Sequence, residues 1–220
     1  AKVIVDVPRS IWRRQWVLED FSVESLEINL VQDTEGAWQL QGVSLGGGGV
    51  VDLAKVYESF LGISRLDMDQ VQINAQTNSG VRYRFSNGTV SIRNQGAVHY
   101  LYLSAYPENN RAAISVSLEV EGQRLDRMSG RLHVDIPVGD YTEIAANQYA
   151  EDFAILELVG GGGVWANLRA GKIKDIVAQP QISRFVFKGP HSTGTAIQQV
   201  NGILSLQLDD ALTKLDMSQM

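Results

Sequence analysis

Cysteine is absent from the 220 residues. That excludes disulfides, thiolate metal sites and cysteine nucleophiles. Histidine is scarce, and His99, His133 and His191 share no ligand spacing of the HxxxH kind. A histidine metal centre therefore has no motif to stand on. No window approaches ~20 continuous apolar residues, so no stretch reads as a membrane-spanning helix. No signal-peptide pattern stands at Ala1. The net charge is −6 with both signs spread along the chain. No basic patch that would grip a phosphate backbone is visible, so nucleic acid is not an expected partner. Proline is rare (5) against 21 glycines and 44% hydrophobic residues, which is the composition of a folded chain.

What the sequence has instead is strict apolar/polar alternation. Ile114, Val116, Leu118 and Val120 alternate with Ser115, Ser117, Glu119 and Glu121. Leu132, Val134 and Ile136 alternate with Arg131, His133 and Asp135, and Leu204, Leu206 and Leu208 with Ile203, Ser205 and Gln207. A period of two gives a strand one apolar and one polar face. Turn residues separate the strands. Thr34-Glu35-Gly36 joins the strand over Leu26, Ile28 and Leu30 to one carrying Trp38 and Leu40. Asn78-Ser79-Gly80, Ser86-Asn87-Gly88 and Asn94-Gln95-Gly96 mark further turns. The expected class is mainly β: an open, twisted, curved antiparallel sheet in which each strand pairs with its sequence neighbour.

Two or three short helices interrupt it. Leu53, Val56, Tyr57, Phe60 and Leu61 form a helical stripe within Val51–Leu61, read as a plug on an apolar end of the sheet. A weaker stripe in Pro137–Tyr149 carries Tyr141, Ile144 and Ala145, with Asp140 placed to cap it. Ile11–Trp16 forms a third after Ser10. GGGGV occurs twice, at Gly46–Val50 and Gly160–Val164. Neither copy has a P-loop Lys-Ser/Thr or dinucleotide-fingerprint spacing, and close backbone approach at a sheet edge is the plainer expectation. The chain reads as an internal segment, 1–220, of a longer protein, with sub-repeats over 1–121 and 122–220.

Chemistry has few candidates. Asp67 and Asp69 would share a strand face, and Asp135 and Asp140 flank a helix start. Paired carboxylates hydrolyse glycosides when held at a defined separation, but carboxylates at such places usually solvate or cap. Tyr100, Tyr102 and Tyr106 at period two suit either sugar stacking or packing. No catalytic residue, cofactor or metal site is expected, and the chain is not read as an enzyme.

Four segments carry a resemblance. LEDFSVESLEINLVQDTEGAWQLQG (Leu18–Gly42) resembles the YhdP branch of the AsmA-like family, in which an L-x-I/V-x-L strand precedes an acidic turn and G-x-W-x-L-x-G. Leu66–Tyr106, Val120–Ile144 and GGGGVWANLRAGKIKDIVAQPQISRF (Gly160–Phe185) resemble that family's following strand, turn and hairpin blocks. The resemblance implies a periplasmic segment of an inner-membrane-anchored protein of a Gram-negative bacterium, its anchor lying outside this chain. Its partners would be phospholipid acyl chains, conducted between inner and outer membranes along a β-groove with no chemical step. Beyond Asp209, Ala211, Leu212 and Leu215 depart towards helix where the family has strand. The groove candidates are Ile114, Val116, Leu118, Leu132, Val134, Ile136, Val164, Ala166, Leu168, Leu204 and Leu206. Ser115, Glu119, Arg131, Asp135, Asn167, Arg169 and Gln207 should point the other way. The alternative is a β-rich carbohydrate-binding or adhesin-like module, and behind it a glycoside hydrolase.

Overall fold

The computed structural model describes residues 2–5, 18–36, 38–41, 63–108, 110–145, 154–189, 194–209 and 212–218. Among them, fourteen strands form one open sheet. They are β1 (Lys2–Val5), β2 (Leu18–Val23), β3 (Leu26–Gln32), β4 (Trp38–Gln41), β5 (Arg65–Gln76), β6 (Arg82–Gln95) and β7 (Val98–Pro107). Then come β8 (Ile114–Glu121), β9 (Ser129–Asp140), β10 (Ala154–Arg169), β11 (Lys172–Lys188), β12 (Thr195–Asn201), β13 (Ile203–Asp209) and β14 (Leu212–Ser218). From β5 to β11 each strand pairs antiparallel with the next, as the run of Gly- and Asn-containing turns predicts. At each end of this meander two short strands share one long neighbour. β2 and β3 line up along β5, and β12 and β13 along β11.

The sheet is mixed, which corrects the all-antiparallel expectation. β2 and β3 run parallel to β5, while β4 pairs only with β3. Parallel neighbours need a long crossover, and the chain between β4 and β5 supplies the length. The helix count is also lower than expected. Among the described residues there is one α-helix, α1 (Thr142–Ala145), and a single 3₁₀ turn at Leu125–Arg127. The expected helices over Val51–Leu61 and Ile11–Trp16 lie outside the described residues, and Leu212 and Leu215, read as departing towards helix, are strand instead, paired with β13.

The start of the expected Pro137–Tyr149 helix is strand. Pro137 sits where the β9–β10 register slips between Gly160 and Gly162, so the amide hydrogen it lacks is not missed by the ladder. The helix begins only after Asp140, whose carboxylate accepts the Thr142 N–H (2.9 Å). Ser86-Asn87-Gly88 is likewise not a turn. It is a bulge inside β6, opposite a second bulge in β5, with Asn87 at φ 49° and Gln70 at φ 52°. A methyl on Gly88 would come within 2.9 Å of the Val71 carbonyl oxygen, which accounts for the glycine.

The Gly160–Gly163 run lies in the middle of β10, flanked by β9 and β11, and so is not at a sheet edge. Close backbone approach does hold. A methyl on Gly161 would meet the Ile136 carbonyl oxygen and come within 2.7 Å of the Pro137 carbonyl carbon. Relief there requires moving the backbone of a central strand. Gly161→Ala should therefore destabilise the fold by about 1–3 kcal/mol. Urea denaturation followed by circular dichroism measures it, and an unchanged midpoint would contradict the close approach.

Candidate functional site

Register decides which side chains share a face. Through consecutive partners, Phe21, Leu66, Ile92, Leu101, Leu118, Leu132, Ala166, Ile176 and Leu206 form one row across the sheet from β2 to β13. Val23, Met68, Val90, Leu103, Val116, Val134, Val164, Ala178 and Leu204 form the next row on the same face. Neither row contains a polar residue. At about 4.8 Å per strand, eight strand steps make an apolar band about 40 Å long, running across the strands.

Eight of the eleven sequence-read groove positions lie in these two rows, and the other three lie one residue pair beyond them. Ile136 opposite Gly162 and Leu168 opposite Gly130 extend the same face, with Ile114 opposite Ala105. All eleven therefore share it. Only Ala166 is buried (4% exposed), while the other ten are half-buried. Among the described residues no second sheet or long helix lies over this band. Ser115, Glu119, Arg131, Asp135, Asn167, Arg169 and Gln207 pair among themselves or with other residues on the opposite face.

The band changes character along its length. At the β2–β6 end, Leu66, Met68 and Val71 form a buried cluster with Phe21, Leu26, Ile63, Ile73 and Val90 around it. One end of the strands is spanned on the apolar side. The Tyr83 hydroxyl on β6 donates to the Ile144 carbonyl (3.4 Å) in α1, which follows β9, three strands away. Tyr141 anchors that segment through its own hydroxyl, which donates to Pro137 O (2.6 Å), and through its N–H to Leu158 O. Burial pushes the Tyr141 phenol above its ordinary range. At the other end of the strands, buried His99 sits between Asn94 Oδ1 and Gly122 O, each 2.8 Å from a ring nitrogen. It is a satisfied structural histidine that fastens the Gly122–Met128 connection.

The opposite face carries the polar and aromatic residues. Tyr100 (39% exposed), Tyr102 (43%) and Tyr106 (38%) stand on it, without a helix over them among the described residues. Trp165, paired with His133 across β9 and β10, stacks on that imidazole with centroids 4.8 Å apart and planes 15° from parallel. A cavity of about 560 Å³ opens between Tyr102 and this stack. Sequence reasoning missed Trp165 and His133 as partners. The available signal was parity: Trp165 shares the solvent-facing phase of Asn167 and Arg169.

The carboxylate candidates do not converge. Asp67 accepts hydrogen bonds from Arg65 (2.7 Å), Arg93 (2.8 Å) and Ser91 (3.0 Å). Burial opposes its charge, but these three donors outweigh it and hold its pKa below the usual carboxylate value. Asp140 caps α1, and Asp69 and Asp135 are exposed. Among the described residues no group of three His, Asp or Glu side chains is placed to hold a metal. His191 lies outside the described residues.

Searches against family models, curated proteins and solved structures return no match to this chain. The class that register and layering define is an open, mainly β single sheet with one apolar and one polar face.

The Asp67 network makes a pH prediction. Because its folded pKa is depressed, its contribution is present above the unfolded value near pH 4 and is lost as pH falls through the lower folded value. The group and its arginines are partly exposed, so the contribution is at most about 1 kcal/mol. Asp67→Asn should lower the melting temperature slightly at pH 7 and converge with the wild type only once pH falls below the depressed folded pKa of Asp67. Parallel thermal melts from pH 2 to 7 test this, and a constant offset across the range would contradict it.

Proposed function

We propose that this chain is a segment of a periplasmic β-groove that conducts phospholipid acyl chains between the inner and outer membranes of a Gram-negative bacterium, as part of an inner-membrane-anchored protein. The observation that carries the reading is the pair of unbroken apolar rows running across the strands on one face. A two-layer protein buries such rows fully. Here Val116, Leu118, Leu132, Val134 and Val164 stay half-buried on an open sheet. A face of this kind suits hydrocarbon, because each methylene it covers contributes roughly 0.8 kcal/mol without any specific contact. The length of the band also fits. About 40 Å of continuous apolar surface exceeds a single acyl chain, so a lipid has neighbouring positions of equal chemistry to move between. The motif resemblance to the AsmA-like family supports the same function, and with it the location.

No catalytic group enters this reading. Transfer along the band requires only that no position be polar enough to halt a chain. Val116→Asp and Val134→Asp place a carboxylate in the middle of the second row. An unpaired charge against hydrocarbon costs several kcal/mol. These variants should stay folded and lose photocrosslinking to phospholipid, while Ser115→Asp on the opposite face retains it. The assay uses a photoreactive side chain at Leu118, lipid extracts and a thermal melt. A folded Val116→Asp variant that crosslinks lipid at wild-type level would overturn the conduit.

A further inference from the structure

The polar face holds a site that the groove does not use. The cavity there has about 560 Å³ of space, within the range of small-molecule sites. Register explains why it exists. Across the sheet the row reads Ser91, Tyr102, Ser117, His133, Trp165, so a small serine separates the tyrosine from the stacked imidazole and indole. Tyr102 and Trp165 are three strands apart, about 14 Å at the usual spacing. They form the two walls, with Ser117 as the floor between them. Tyr100 stands two residues from Tyr102 on the same wall.

The polar groups of these side chains are unspent. Among the described residues, the hydroxyls of Tyr100, Tyr102 and Ser117, the Trp165 indole N–H and both His133 ring nitrogens make no hydrogen bond. The charged groups at the rim are already paired. Arg131 faces Glu119 at 3.6 Å, and Arg93 is held by Asp67 at 2.8 Å. A phosphate or carboxylate ligand would have to draw Arg131 from Glu119 or Arg93 from Asp67. A purely apolar ligand would strand several hydroxyl and ring N–H groups against it, which is costly. The chemistry left is a neutral molecule with flat apolar patches for the rings and hydroxyls for the free donors and acceptors.

We infer that this cavity binds a neutral oligosaccharide of a few residues, seated between Tyr102 and the Trp165–His133 stack. The site uses the face opposite the apolar rows, so it stands or falls independently of the lipid conduit.

The test is a calorimetric titration of the full chain with cellotetraose, maltotetraose and N-acetylchitotetraose as probes. At least one should bind saturably. Trp165→Ala should weaken that binding by roughly tenfold or more. Ser117→Tyr fills the floor from an exposed position and should abolish it. Tyr106→Ala, on the same face but outside the cavity, should leave it unchanged. Circular dichroism melts confirm that each variant is folded; if Trp165→Ala melts early, Ser117→Tyr decides. No binding of any of the three probes would overturn the inference. So would binding that survives Ser117→Tyr, or that is lost equally with Tyr106→Ala, which would mark unspecific adhesion to exposed aromatics. Phospholipid crosslinking through Leu118 should be unaffected by Ser117→Tyr.

Discussion

Backbone register is the constraint on which the rest of this protein depends. A strand presents successive side chains to opposite faces, and a slip of one residue exchanges the two faces completely. With one sheet as the only layer among the described residues, there is no second core to restore order after such a slip. Val116 opposite Val134, and Val134 opposite Val164, keep the apolar rows aligned through β8, β9 and β10. The same pairings put Arg131 beside Glu119 and His133 beside Trp165 on the other side. Both faces are thus consequences of one hydrogen-bonding pattern.

The bulges serve that register. In β5 the apolar positions run Leu66, Met68, then Val71 and Ile73, which breaks the period of two after Met68. The extra residue at Gln70 absorbs the break, so all four face the same way. In β6 the phase shifts between Phe85 and Val90, and Asn87 absorbs it. Bulges at these points bend and twist the strands that carry them. They are phase corrections written into the sequence as irregular spacing.

This explains what the sequence makes legible. The regular alternation of Ile114–Val120, Leu132–Ile136 and Leu204–Leu208 defines their common face without knowledge of the partners. Turns such as Asn78-Ser79-Gly80 declare themselves because their positive-φ residues have a local cost. Ser86-Asn87-Gly88 misleads for the same reason, since a bulge and a turn ask for the same residues. The parallel pairing of β2 and β3 with β5 is set by long-range contact and has no local signature. The pairing of His133 with Trp165 depends on two strands meeting in one particular register. Pro137 reads as a helix start, but the β9–β10 slip gives it a place in a strand.

Four consecutive glycines in β10 remove side chains from both faces at once, where β9 and β11 approach on either side. The tract lets main chains come close: a methyl there would meet backbone atoms of Ile136 and Pro137 in β9 and of Gln179, Gln181 and Ile182 in β11. Three neighbouring strands are thereby joined at a spacing that only glycine permits, and the middle of β10 admits no larger residue without moving β9 or β11.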